Sequence, residues 1–81
     1  MVTKFNKPAI YSIKVQGELG DEWASRLGGM QINVKRKKGK ETISILTGRL
    51  SDQSALSGVM NTLYELHLTI ISVNILENIE D

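Results

Sequence analysis

Between Ser51 and Leu66 the apolar residues recur at spacings of three and four, and on both sides of that stretch they recur at every second position. The first period is that of an amphipathic helix, the second that of a strand with one buried face. A chain with strand-like pattern on both sides of a helix must pack that helix against a sheet to bury either face.

Three strand patterns surround the helix closely, and a fourth opens the chain. Ile10 to Gln16 alternates Tyr11, Ile13 and Val15 with Ser12, Lys14 and Gln16. Met30 to Arg36 is read as a second strand with Met30, Ile32 and Val34 inward. Glu41 to Thr47 is read as a third with Ile43 and Ile45 inward. A two-residue turn at Lys38-Gly39 would set Val34 opposite Ile43 and Ile32 opposite Ile45, with Gly39 at positive φ. Gly48 to Leu50 then reads as a connector. The last strand, Thr69 to Leu76, carries Ile71, Val73 and Ile75 on its inward side.

The main helix is expected from a cap at Ser51 or Asp52 to about Leu66, with Ala55, Leu56, Val59, Met60, Leu63 and Leu66 as its stripe. Gly58 inside it suggests close approach of another backbone, and His67 is expected to end it. A shorter helix, Glu22 to Leu27, follows Asp21 as cap and stops at Gly28-Gly29, with Trp23 and Leu27 four apart on one face.

Strand, helix, strand, strand, helix, strand with short crossovers predicts an α+β, ferredoxin-like βαββαβ two-layer sandwich with antiparallel sheet order 4-1-3-2. The 81 residues suffice for one such domain over residues 10–76, preceded by a flexible lead-in (1–9) and followed by an acidic tail (77–81). The chain has no cysteine and one histidine, so disulfides and the usual zinc ligand sets are ruled out. Its formal net charge of +1 argues against a globally basic nucleic-acid binder but leaves room for a local patch. No apolar run suits a signal peptide or a bilayer span, and the expected location is cytoplasmic.

Two stretches carry a family resemblance. Trp23 through Leu27-Gly28-Gly29-Met30 to Ile32, and Thr47-Gly48-Arg49-Leu50-Ser51-Asp52-Gln53-Ser54-Ala55-Leu56-Ser57-Gly58 with Leu63 and Leu66, resemble a family of short, uncharacterised bacterial proteins over about residues 10–76. That resemblance implies a single natural domain and no particular chemistry. The element order more distantly resembles the ACT domain, a regulatory module that often binds amino acids at a dimer interface. In that family an Asp in the first loop is followed by Pro-Gly. Here Gly17-Glu18-Leu19-Gly20-Asp21 supplies the glycines and the acid, but Glu22-Trp23 follows.

Two regions are candidate sites. Lys35, Arg36, Lys37, Lys38 and Lys40 crowd the expected hairpin tip, where they could bind phosphate, nucleic acid or an acidic protein, or simply guard a solvated turn and its edge strand. The sheet face away from the helices is expected to present Ser12, Lys14, Gln16, Gln31, Asn33, Lys35, Thr42, Ser44, Leu46, Ile70, Ser72, Asn74 and, at its margins, Ile10 and Leu76. Of these, Ile70, Ser72, Asn74, Leu76 and Leu46 form a candidate self-association surface, because Thr69 to Asn74 is an uncharged, β-branched edge. The alternative is an ordinary wet sheet face. Asp21, Trp23, His67 and the serines Ser51, Ser54 and Ser57 read as caps, core and exposed helix positions, since no partner set for general-base or nucleophilic chemistry accompanies them. The expectation is therefore a non-enzymatic, cofactor-free interaction or regulatory module that forms a homo-oligomer, with anion binding through the basic hairpin as the alternative.

Overall fold

The computed structural model describes residues 8–36 and 38–79. Strand β1 spans Ala9–Gln16, β2 Gln31–Lys35, β3 Ile43–Leu50 and β4 Thr69–Asn78; helix α1 spans Gln53–Glu65. A 3-10 segment, Asp21–Leu27, occupies the place of the first helix. All strand pairs are antiparallel, and the sheet order β2-β3-β1-β4 is 4-1-3-2 read from the other edge. The architecture is thus α+β with a single open sheet, as expected, but with one α-helix where two were expected.

The first connection is short because its sequence is. Seven residues followed by Gly28 and Gly29, both left-handed at φ 70° and 72°, allow two tight turns and no more. Gly20, not Asp21, is the N-cap, and no side chain caps this segment; Asp21 lies exposed in its first turn. Leu27 is fully buried, and Trp23 and Ala24 pack partly buried against the core, with the Arg26 guanidinium 5.2 Å from the Trp23 ring centroid. Packing of these apolar side chains holds a segment too short to persist alone.

Helix α1 follows its sequence closely. Asp52 is the N-cap, its Oδ1 accepting from the Ala55 amide at 2.9 Å. Val59 and Leu63 are buried, with Ala55, Leu56 and Leu66 packed beside them. The helix ends in a Schellman motif: the Leu68 amide donates to the Leu63 carbonyl and the His67 amide to the Tyr64 carbonyl. His67 takes the left-handed position at φ 60°, so its backbone, rather than its ring, terminates the helix. Gly58 faces open space, with nothing within 4 Å of where a Cβ would sit, so no neighbouring backbone approaches it.

The register between β2 and β3 departs from expectation by one residue. Val34 pairs with Ser44 and Lys35 with Ile43, while Ile32 pairs with Leu46 and Asn33 with Ile45. Ser44, Leu46 and Leu50 therefore face the helix and are buried, and Ile43 and Ile45 stand on the opposite, open face. A one-residue slip exchanges every side chain between faces. The reason lies beyond Thr47: β3 continues through Gly48, Arg49 and Leu50. Burying Leu46 and Leu50 puts Arg49 in solvent, whereas burying Ile43 and Ile45 would bury Arg49 as well. Gly48, on the inner side, leaves room for the Met30 backbone, whose Cα would lie 3.1 Å from an added Cβ.

A buried serine completes the inner side of β3. The Ser44 hydroxyl donates to the Gly17 carbonyl at 2.7 Å and accepts from the Leu19 amide at 3.0 Å. It is fully buried and ties the loop after β1 to the sheet, so that Leu19 enters the core. The β2–β3 connection is correspondingly longer than a two-residue turn, running over residues 36–42, although Gly39 does adopt positive φ, at 75°.

In β4 the alternation breaks twice, at bulges opposite Ile10/Tyr11 and Lys14/Val15 of β1. Ile70 pairs with inward Val15 and packs against the core, and Val73 pairs with inward Ile13. Ile71, expected inside, falls at one bulge and is 47% exposed; Ile75, opposite Tyr11, is 37% exposed. The strand continues to Asn78, two residues into the expected tail, and the Ile79 amide bonds to the Pro8 carbonyl. Residues 1–7 of the expected lead-in and residues 80–81 of the tail lie outside the described residues. Among the described residues no helix is long and apolar enough to cross a membrane.

Candidate functional site

The corrected register decides what the open face of the sheet presents. Cross-strand partners share a face, so its rows read Asn33–Ile45–Lys14–Ser72 and Lys35–Ile43–Gln16–Thr69. The second row lies at the foot of the 36–42 connection. There Lys14, Lys35, Gly39, Lys40, Glu41, Ile43 and Ile45 line a concavity of about 600 Å³. Ile43 and Ile45 are half-buried, while the three lysines are exposed. Glu41 is bound by Gln16, whose Nε2 donates to its Oε2. The result is an apolar floor with a cationic rim.

The basic cluster seen in the sequence divides in three dimensions. Lys35 and Lys40 join Lys14 at the concavity. Arg36 turns toward the loop after β1, where its Nε and Nη2 both contact Glu18 Oε1, at 2.9 and 2.5 Å. Lys38 is exposed in the turn and does not line the concavity, and Lys37 lies outside the described residues. From the sequence Lys14 is expected on the open sheet face but not as part of the basic cluster. It enters the site because β3 lies between β1 and β2 in the sheet and brings Lys14 and Asn33 to either side of Ile45.

The candidate self-association set divides as well. Leu46 is completely buried in the core and Ile70 packs on the helix side, so neither belongs to the open face. Ser72 and Asn74 do lie on it, opposite Lys14 and Ser12. Leu76 sits at the second bulge and is 59% exposed. With Ile71 and Ile75 it leaves an apolar margin along the outer edge of β4, a strand of ten residues that pairs on one side only. Among the described residues, no three His, Asp or Glu side chains gather as a metal ion would require.

Fold and surface together define a small α+β domain with an open sheet face, a charged connection at one end and an unpaired strand at the other. The sequence matches the family described as Domain of unknown function (DUF8691) over residues 10–74, and the chain belongs to that family. No curated protein and no solved structure matches it.

Proposed function

We propose that this protein is a non-catalytic interaction module, ferredoxin-like with its first helix reduced to a 3-10 segment, that self-associates through the outer edge of β4. The observation that carries the reading is that edge. It is ten residues long, free of Lys, Arg and Pro, and it exposes Ile71, Ile75 and Leu76. Soluble proteins ordinarily guard such an edge with cations or proline, or cover it.

A second copy is the occupant that suits it. In an antiparallel pair centred on Val73, Ile71 stands opposite the partner's Ile75, Ser72 opposite the partner's Asn74, and Thr69 opposite the partner's Glu77. No like charges meet, and the exposed apolar residues cover one another. The pairing joins two four-stranded sheets and leaves both basic connections free at the far edges. The opposite edge strand, β2, is short and bears Lys35 at its end, so it is the poorer template.

Light scattering on the eluting protein tests this. The wild type is expected at twice the chain mass, and Ile71→Lys and Leu76→Lys, at exposed positions, are expected at the monomer mass with unchanged circular dichroism. A wild type that stays at monomer mass at millimolar concentration ends the proposal.

A further inference from the structure

The concavity at the foot of the 36–42 connection combines two features that charged turns do not ordinarily share. Its floor is two isoleucines that the register turns away from the core, and its rim is three lysines drawn from three different segments of the chain: β1, β2 and the connection. We propose that this is a binding site for a small organic acid: an apolar body resting on Ile43 and Ile45, with an anionic head held by Lys14, Lys35 and Lys40.

Three observations favour that chemistry. The volume of about 600 Å³ falls in the range of small-molecule sites, which run roughly 300–1,000 Å³ and pair an apolar lining with a few placed polar groups. The charge is lopsided, since three lysines face one carboxylate, and that carboxylate already accepts from Gln16. An anion entering the site therefore meets net positive charge beside an apolar surface. Finally, among the described residues the cations of the connection divide, and Lys38 does not line the concavity. Arg36 is engaged by Glu18 on the far side of the connection. A nucleic acid draws its affinity from many phosphate contacts along a path, and three lysines around a hollow supply few of them. An apolar floor also adds nothing for a phosphate backbone, whereas it adds favourable burial for a hydrocarbon chain or ring.

The site lies on β1, β2 and β3, away from the outer edge of β4, so its occupancy and the proposed self-association are separable.

Octanoate, octanamide and inorganic phosphate serve as probes, titrated separately into the isotopically labelled full chain at low salt and followed by amide chemical shifts. Octanoate is expected to bind saturably, shifting Lys35, Gly39, Lys40 and the Ile43–Ile45 segment. Octanamide, which keeps the apolar body and loses the charge, is expected to bind at least about tenfold more weakly, the equivalent of one charge-assisted contact. Phosphate, which keeps charge without the body, is expected to be similarly weak. Lys14→Gln and Lys35→Gln, at exposed positions, should each weaken octanoate several-fold with an unchanged melting temperature. Ile71→Lys, used to break the β4 edge, should leave octanoate binding as it is. The proposal is overturned if octanamide binds as well as octanoate, if the shifts map elsewhere on the sheet, or if the lysine variants bind octanoate like the wild type. It is also overturned if a short single-stranded oligonucleotide binds more tightly than octanoate and displaces it, which would make the patch a polyanion site.

Discussion

Replacing Ser44 by alanine tests the register on which the candidate site depends. The Ser44 hydroxyl serves two backbone groups at once, the Leu19 amide and the Gly17 carbonyl. Alanine leaves both without that partner. An unsatisfied buried amide costs about 1–3 kcal/mol, and the carbonyl, which has a second lone pair and lies nearer the surface, adds roughly 0.5–1.5 kcal/mol. The expected loss is about 2–4 kcal/mol, against a total stability of roughly 4–12 kcal/mol for a chain of this length. Urea denaturation followed by tryptophan fluorescence from Trp23 reads it directly. With a slope of about 1 kcal/mol per M, the midpoint should fall by roughly 2–4 M, or the protein should lose its folded baseline altogether. Hydrogen exchange supplies a local readout, because the Leu19 amide should lose its protection first. Ile45→Ala is the comparison. Ile45 is half-buried on the open face, so its truncation should cost about 1 kcal/mol, below the 2–5 kcal/mol typical of a core isoleucine. In the alternative register Ser44 faces solvent and Ile45 lies in the core, so the order reverses. An Ile45→Ala variant that loses 3 kcal/mol or more, roughly the core value, beside a Ser44→Ala variant within about 0.5 kcal/mol of wild type, would refute the reasoning.

Two further expectations concern the backbone. The same change, glycine to alanine, should have opposite signs at two positions. Gly58→Ala fills open space in a helix and should raise stability by about 0.5–1 kcal/mol, while Gly48→Ala drives a methyl into the Met30 backbone and should lower it by roughly 1–3 kcal/mol. Thermal melts of the two variants side by side check this, and equal signs would contradict the packing described. His67→Gly relieves a left-handed residue and should raise stability by up to about 1 kcal/mol, after allowing for the greater freedom of glycine in the unfolded chain. A melting temperature below that of the wild type would mean that the imidazole makes a stabilising contact.

Element order and the packed stripe of the main helix were legible because they depend on neighbours in the chain. The stripe from Ala55 to Leu66, a cap at Ser51 or Asp52, the Gly28-Gly29 stop and the alternation in β1 are local signals, and each corresponds to an observed feature, the cap being Asp52. The inner face of β3 was not legible in the same way. Ile43-Ser44-Ile45-Leu46 offers apolar residues at three of four positions, and closing the strand at Thr47 removed the two residues, Arg49 and Leu50, that decide between the faces. The site inherited the difficulty. The run from Lys35 to Lys40 is conspicuous as a string of letters, yet Lys14 joins it from a distant segment and Arg36 leaves it for Glu18.

The sequence by itself determined that four strands and two helical segments would share one core, because period and capping are written in residues that lie within a turn or two of one another. Only the tertiary structure decided which isoleucines that core would leave outside. That choice was made by a serine hydroxyl meeting the loop after β1, a glycine making room for Met30, and an arginine that required water. The first two act between segments far apart in the chain, where the pattern of any one strand carries no information, and the arginine counts only because pairing with β1 carries β3 on to Leu50.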